Sequence, residues 1–138
     1  MQVQRRGGKV CGLLSPAVVK SGCKTGIDLV DLSSGQRRRL ATLRNTSSSD
    51  VMTDRWSFDL ETLQWGNQIL ENLPPDTDLL VIDELGPLEF RRGKGFSNAF
   101  SAIDQRCYKV ACVIVRPGLV EAALTRWSEA YVVDVDDE

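Results

Sequence analysis

The feature that most restricts the fold of this chain is a continuously apolar run, Leu79–Ile82, that leads directly into two acids, Asp83 and Glu84. Four apolar residues without polar alternation predict a strand that is covered on both faces, as the strands of parallel sheets are. A second run of this kind occupies Val110–Val115. We therefore expect these two runs to form neighbouring strands in the interior of one sheet.

Helical patterns separate and follow these runs. Between them, apolar residues recur at the spacing of one helix face: Phe96, Ala99, Phe100 and Ile103. An earlier helix is predicted from an N-cap at Ser57 or Asp59 to about Leu73. Pro117 is placed to open a last helix, and Tyr131–Val135 is predicted as a third short strand. Strands alternating with helices in this way predict right-handed crossovers and a three-layer α/β fold with a partly parallel sheet.

The first part of the chain has no helical periodicity and is predicted to be an antiparallel meander over residues 1–44. Its predicted strands and turns are, in order, Lys9–Ser15, the turn Lys20–Thr25, Gly26–Leu32, the turn Ser33–Gln36 and Arg37–Leu43. Residues 45–58 are predicted to be a loop, and residues 59–138 to be the βα core of the same single domain, 1–138. The meander is expected to extend the sheet beyond Leu79–Asp83.

The composition excludes several classes of function. Histidine is absent, which excludes Ser-His and Cys-His catalysis and zinc sites that use histidine. The net charge of −2 provides no general attraction to nucleic acid or to an anionic membrane. No apolar run approaches the ~20 residues that span a bilayer, and no secretory signal opens the chain, so a cytoplasmic location is expected. The basic run Arg37–Arg39 fits a phosphate contact or a charged, solvated edge strand, and the edge strand is favoured.

The four cysteines fit a reducing compartment. None lies in the short CxxC spacing of a zinc or redox motif. Cys11 and Cys112 lie within apolar runs, where a free thiol acts as a small hydrophobic side chain. All four are therefore predicted to be structural cysteines.

The acids Asp83 and Glu84 are the candidate chemical site. They follow a buried strand, and ligands of open α/β sheets bind beyond the carboxyl ends of the strands. In phosphate-transfer sites of this kind the first acid holds Mg²⁺, usually through water, and the second orients or deprotonates the attacking water. The alternative is a solvated strand end without function, and the six residues 79–84 taken alone favour that alternative.

A longer sequence pattern favours a functional site over a solvated strand end. The stretches that carry it are Gly12–Pro16, Gly26–Leu32 followed by Gly35, Leu79–Glu89 and Val113–Pro117. In order and approximate spacing they resemble the small nucleoside-triphosphatase family known from thermophiles and represented in animals as the cancer-related nucleoside triphosphatase. The resemblance covers nearly the whole chain and implies a P-loop nucleoside-triphosphatase fold of the RecA/ASCE type.

The resemblance also implies roles for individual residues. Asp83 matches the magnesium-associated acid of the Walker B position, and Glu84 the catalytic base. Gly86 and Glu89 belong to the same nucleotide-binding signature. Arg116 matches a position from which a cation contacts the γ-phosphate, for which a guanidinium is well suited. The alternative for Arg116 is a surface ion pair with Glu89 or Glu121.

The chain departs from this family at one motif. A P-loop requires GxxxxGK[ST], because its backbone N–H groups, lysine and hydroxyl surround the phosphates and Mg²⁺. The sequence contains no such segment, and neither Gly22–Thr25 nor Gly7–Val10 satisfies it. In the family that strand–loop–helix unit precedes the equivalent of Val10, and its strand lies between the equivalents of Val110–Val115 and Tyr131–Val135. We therefore expect a truncated domain without the P-loop strand and helix.

Three arrangements would close the resulting gap in the sheet. The flanking strands pair directly, a second chain supplies the strand, or the gene product is longer than this chain. The first functional expectation is hydrolysis of a nucleoside triphosphate such as ATP or GTP with Mg²⁺, in a homo-oligomer or with a P-loop-bearing partner. The isolated chain is expected to be inactive. The second is a non-catalytic relative that binds a regulatory partner through an exposed strand edge.

Overall fold

The computed structural model describes residues 8–43, 56–85 and 95–134. In these residues seven strands form one mixed sheet, accompanied by short helices. The elements are, in chain order, β1 (Val10–Leu14), β2 (Ala17–Lys20), β3 (Cys23–Asp31), β4 (Arg37–Leu43), β5 (Trp56–Phe58), α1 (Leu60–Glu71), β6 (Thr77–Leu85), α2 (Asn98–Gln105), β7 (Tyr108–Val115), a 3₁₀ turn (Pro117–Leu119) and α3 (Val120–Arg126).

The sheet has the strand order β5-β4-β3-β1-β6-β7, with β2 paired to β3 off this path. The pairs β1–β6 and β6–β7 are parallel, and Leu79 lies beside Val110. The other pairs are antiparallel. This confirms the predicted adjacency of Leu79–Asp83 and Val110–Val115, and it confirms that the meander extends the sheet beyond Leu79–Asp83.

The predicted turn Lys20–Thr25 is wrong in its extent. Only Ser21 and Gly22 turn, and the chain around them forms a hairpin between β2 and β3, in which Lys20 pairs with Cys23. Both turn residues have positive φ, 52° and 77°, as a two-residue hairpin turn of type I′ requires. The polar composition of this stretch does not distinguish a two-residue turn between strands from a longer turn.

The helices pack against one face of the sheet. Leu80 and Ile82 of β6 belong to the same buried cluster as Leu70 of α1 and Ile103 of α2. Trp127, which follows α3, stacks on Phe100 of α2 with ring centroids 5.8 Å apart. Helix α1 begins as predicted, because the Asp59 side chain accepts a hydrogen bond from the Glu61 N–H at 3.0 Å.

In the described residues α1 and α2 lie on one face of the sheet, and the predicted third layer stays a prediction. The parallel strands follow one another across the sheet in a single direction, from β1 to β6 to β7. Right-handed crossovers that all step in one direction place their helices on the same face. The opposite face of β7 is open, with Val110 59% and Ile114 44% exposed. Cys112, predicted to be buried between them, is exposed as well.

Two further expectations, for Tyr131–Val135 and for the loop 45–58, differ from the structure. Residues 131–134 form no strand, and Tyr131 is 97% exposed, so the predicted strand Tyr131–Val135 is wrong over its described part. No described backbone lies in register to pair with it, and an apolar segment becomes a strand only beside another strand. The predicted loop 45–58 lies outside the described residues up to position 55, and its last residues form β5 on β4.

Candidate functional site

The candidate site lies where the parallel strands β1, β6 and β7 end. Because the three strands run in the same direction, their carboxyl ends meet at one edge of the sheet. Asp83 lies in the last residues of β6, Ser15 follows β1 directly and Arg116 follows β7 directly. The sequence-predicted Asp83 and Arg116 are thus placed at the same edge, where open α/β sheets bind their ligands.

A bulge in β6 carries the two acids. Ile82 pairs with Val113 and Leu85 pairs with Val115, so Asp83 and Glu84 together stand opposite a single residue of β7. Bulges of this kind bend the strand and redirect a side chain, and they are common next to active sites. The acids are therefore part of the strand end and do not follow it in a loop.

Asp83 is fixed by the neighbouring strand. Its Oδ2 accepts a hydrogen bond of 2.9 Å from the backbone N–H of Ser15, and its side chain is half-buried. This bond holds the carboxylate in one orientation and does not use Oδ1. The sequence does not predict that Ser15 anchors Asp83; the position of Ser15 at the same sheet edge is the signal that points to it.

The donor set at this edge fits a magnesium ion that arrives with a nucleotide. Mg²⁺ in nucleotide sites is commonly bound by one or two carboxylates together with water and phosphate oxygens. Asp83 supplies one carboxylate. Within residues 8–43, 56–85 and 95–134, no group of three or more His, Cys, Asp or Glu side chains converges on a point.

Gly12 brings β1 and β6 into unusually close contact near the acids. It adopts φ +120° and lies in register with Val81, two residues before Asp83. A Cβ at this position would lie 1.9 Å from the Val81 carbonyl oxygen. A glycine inside an apolar strand pattern is the sequence signal for such an approach.

Arg116 is exposed, and its backbone begins the turn after β7. It has extended dihedral angles, φ −70° and ψ 150°, and its carbonyl accepts a hydrogen bond from the Leu119 N–H at 2.9 Å. Pro117 follows it at the first position of the 3₁₀ turn, where proline needs no hydrogen-bond donor. The backbone at Arg116 is therefore held at the ligand edge.

The structure describes only part of the remaining predicted site. The backbone of Glu84 lies in the bulge, whereas its side chain, Gly86 and Glu89 lie outside the described part of the structure. Their predicted roles stay predictions.

The basic run Arg37–Arg39 is engaged by other side chains. Arg37 and Arg39 each bind Asp28 at 2.7 Å, and Arg38 lies over the Trp65 ring at 4.3 Å. Burial alone raises the pKa of Asp28, but the hydrogen bonds from both arginines outweigh it and lower that pKa below its ordinary value. Since β5 pairs only with the far half of β4, these arginines lie on an unpaired stretch of strand among the described residues, as the edge-strand interpretation expects.

A shallow cavity lies at the opposite, amino-terminal edge of the parallel strands. Asp76, Asp78 and Arg106 are among its lining residues. These charges are already paired: Lys9 binds Asp76 at 2.8 Å, and Lys109 binds Asp78 at 3.0 Å. The pKa of each of these carboxyls is lowered by hydrogen bonds, from the Lys9 side chain to Asp76 and from the Lys9 backbone to Asp78. This edge is a network of surface ion pairs at the opposite end of β6 from Asp83.

Comparison with known proteins identifies the family. The sequence profile of a family described as NTPase matches residues 1–137. The chain belongs to this NTPase family. Among the relatives of this chain, the nucleoside-triphosphatase THEP1 of Pyrobaculum aerophilum is 34% identical over 90 residues, which are 65% of this chain and 49% of the relative. The THEP1 of Methanopyrus kandleri is 29% identical over 98 residues, 71% of this chain and 50% of the relative. The chain thus spans about half the length of these curated relatives.

Solved structures show the same fold. A human cancer-related nucleoside triphosphatase matches this chain with a TM-score of 0.68 and 23% identity, over 99% of this chain and 78% of that one. THEP1 from Aquifex aeolicus matches with a TM-score of 0.58 and 18% identity, over 91% of this chain and 72% of that one. At these identities the likeness establishes the P-loop-like α/β fold. Among the residues that the structure describes, no helix combines the length and the apolar character needed to cross a membrane.

Proposed function

We propose that this chain provides the Mg²⁺- and water-binding half of a site that hydrolyses the β–γ bond of a nucleoside triphosphate. One observation carries the proposal: Asp83 is held by the Ser15 N–H at the carboxyl edge of the parallel strands. Membership of the NTPase family supports the reaction class.

In this proposal each residue at the edge has one task. Asp83 holds the metal, either directly or through water, with the carboxylate oxygen that Ser15 leaves unused. Glu84 orients or deprotonates the attacking water, and Arg116 stabilises charge on the γ-phosphate. Gly86 and Glu89 belong to the nucleotide-binding segment that follows β6. Mg²⁺, bound together with the nucleotide, neutralises the phosphate oxygens during transfer.

The half that grips the phosphates is not in the 138 residues of the sequence, because GxxxxGK[ST] is absent. Without a backbone cradle and its lysine, carboxylates at the sheet edge repel a triphosphate. We propose that the P-loop comes from a partner chain or from sequence upstream, that the isolated chain is inactive, and that the protein acts in the cytoplasm.

The first experiment tests the isolated chain by calorimetry with ATP and with GTP in the presence of Mg²⁺. We expect no measurable heat of binding, together with no release of phosphate. Tight binding of either nucleotide by the purified chain would contradict the requirement for an external P-loop.

The second experiment supplies the missing part. A strand–loop–helix segment carrying GxxxxGK[ST] from a nucleoside-triphosphatase is joined ahead of Val10, and phosphate release is measured. We expect turnover that Glu84→Gln abolishes while nucleotide binding persists. Glu71→Gln at the exposed end of α1 is the matched control and should leave turnover unchanged. Equal turnover in the two variants would remove Glu84 from its role.

The alternative function is a non-catalytic relative that binds a partner. Among the described strands the outer edge of β7 is unpaired and apolar, which favours this alternative because such a surface is suited to another polypeptide. If the joined P-loop segment produces a folded protein that binds nucleotide without turnover, this alternative replaces the proposal.

A further inference from the structure

Strand β2 continues the line of β1 past the acids of β6. Both strands pair with β3 in one unbroken register, in which Leu13 lies beside Asp31 and Ala17 lies beside Ile27. Among the described residues β6 pairs with β1 but not with β2. The four residues of β2 therefore extend by about 13 Å beyond the sheet edge that holds Asp83.

The direction of the backbone groups alternates along this line. In an antiparallel pair every second residue bonds to the partner strand, and the N–H and C=O groups between them point away from it. The Pro16 carbonyl accepts a hydrogen bond from the Asp28 N–H at 3.0 Å, so Pro16 faces β3. Ser15 faces the other way, and its N–H donates to Asp83. The Ala17 N–H therefore points to the same side as the Ser15 N–H, about 7 Å further along the strand.

The Ala17 N–H is an unused donor beside the candidate site. It has no hydrogen-bond partner among the described residues, because β2 pairs with β3 alone and Ala17 is exposed. The charge of the surrounding chain suits an anion, since the twelve residues from Pro16 to Ile27 include Lys20 and Lys24 and no acid. A donor of fixed direction and a local positive charge thus coincide next to Asp83.

We propose that the Ala17 N–H binds the terminal phosphate of the nucleoside triphosphate. This inference rests on the proposed function and adds a contact from the β1 side of the sheet edge. Arg116 follows β7, two strands away, so the two groups stand about 10 Å apart with Asp83 between them. A strand N–H is already oriented before the ligand arrives, so the contact requires no ordering of a side chain.

Amide NMR of the full ¹⁵N-labelled chain tests the contact without any need for turnover. Inorganic phosphate is the probe and is titrated in the presence of Mg²⁺. We expect a saturable shift of the Ala17 amide signal, whereas the Val18 amide, which is directed to β3 beside Gly26, stays in place. Chloride at the same ionic strength is the control. An Ala17 signal that does not saturate, or that responds equally to chloride, overturns the proposal.

A second test removes the donor from the protein that carries the joined P-loop segment. Ala17→Pro lacks the N–H and suits a strand edge, and Ala17→Gly keeps the N–H as the matched control. We expect Ala17→Pro to weaken binding of ATP about tenfold and to leave binding of ADP unchanged, because ADP lacks the terminal phosphate. Ala17→Gly should change neither. Equal effects on ATP and ADP, or no effect, refute the contact.

The two tests separate this inference from the proposed function. A joined protein that binds no nucleotide counts against the proposed function, and the phosphate titration of the full chain then decides whether Ala17 binds phosphate. The same titration decides if circular dichroism shows that the proline variant does not fold. Turnover in the joined protein without any effect of Ala17→Pro on ATP binding overturns the Ala17 contact alone.

Discussion

The close approach of β1 to β6 at Gly12 makes the replacement Gly12→Ala the most demanding test of the sheet. The new Cβ would lie 1.9 Å from the Val81 carbonyl oxygen and 2.9 Å from the Val81 carbonyl carbon and amide nitrogen. All three are backbone atoms, so no side chain can rotate away. Since carbon–oxygen contacts begin at about 3.3 Å, the strands would have to separate by more than about 1 Å.

The expected cost combines two parts. A non-glycine residue at φ +120° costs about 1–3 kcal/mol in backbone strain. Separation of β1 from β6 weakens the ladder hydrogen bonds on either side of Gly12, each worth about 1 kcal/mol. A total of about 4 kcal/mol is a large share of the 5–15 kcal/mol that stabilises a typical domain. Because Ser15 lies three residues further along the chain, directly after β1, the shift also loosens its hydrogen bond to Asp83.

Urea unfolding followed by tryptophan fluorescence measures this cost against two other glycines. Gly22 has φ +77° with no atom within 4 Å of a new Cβ, so Gly22→Ala should cost only the strain, about 1–2 kcal/mol. Gly118 has open space without a positive φ, so Gly118→Ala should be neutral or slightly stabilising. If Gly12→Ala costs no more than Gly22→Ala, the close contact of the strands does not exist as described.

Further predictions concern the helix start, the core and the acid limb of stability. Asp59→Ala should lower the free energy of unfolding by about 1 kcal/mol in urea titrations, because α1 loses its N-cap; no change would mean that the cap bond contributes nothing. Leu80→Ala should cost about 2–5 kcal/mol, since Leu80 is fully buried between the helices and the sheet, and a smaller loss would place it outside the core. The lowered pKa of Asp28 stabilises the folded chain above the unfolded value of 3.8, and this stabilisation is lost as the pH falls below that value. Asp28→Asn should therefore flatten the acid limb of a stability profile against pH, and an unchanged limb would contradict the role of the two arginines.

The parallel core could be predicted from the sequence because its signal is strong and local. Uninterrupted apolar runs at 79–82 and 110–115 leave few alternatives to strands buried in a sheet. The cap at Asp59 and the strand Arg37–Leu43 follow from equally local chemistry, and both are found where they were predicted.

Other features depend on which element lies beside a segment, and the sequence does not show that. The apolar composition of Tyr131–Val135 predicts a strand only if a neighbouring backbone is available, and none is found beside residues 131–134 in the described structure. The exposure of Cys112 likewise follows from the helices occupying the other face, which depends on the direction of successive crossovers. Asp83 and Arg116 could be placed at the ligand edge from the strand ends alone. The hydrogen bond from Ser15 to Asp83 could not be predicted from the sequence, because it depends on the register between β1 and β6.

The bulge at Asp83 and Glu84 affects which mutations the fold can tolerate. The ladder between Ile82–Val113 and Leu85–Val115 would be continuous with a single residue in place of two. One of the two acids is therefore surplus to strand pairing, and the architecture would survive its deletion. Loss of a proposed chemical group at this position therefore need not entail loss of the fold.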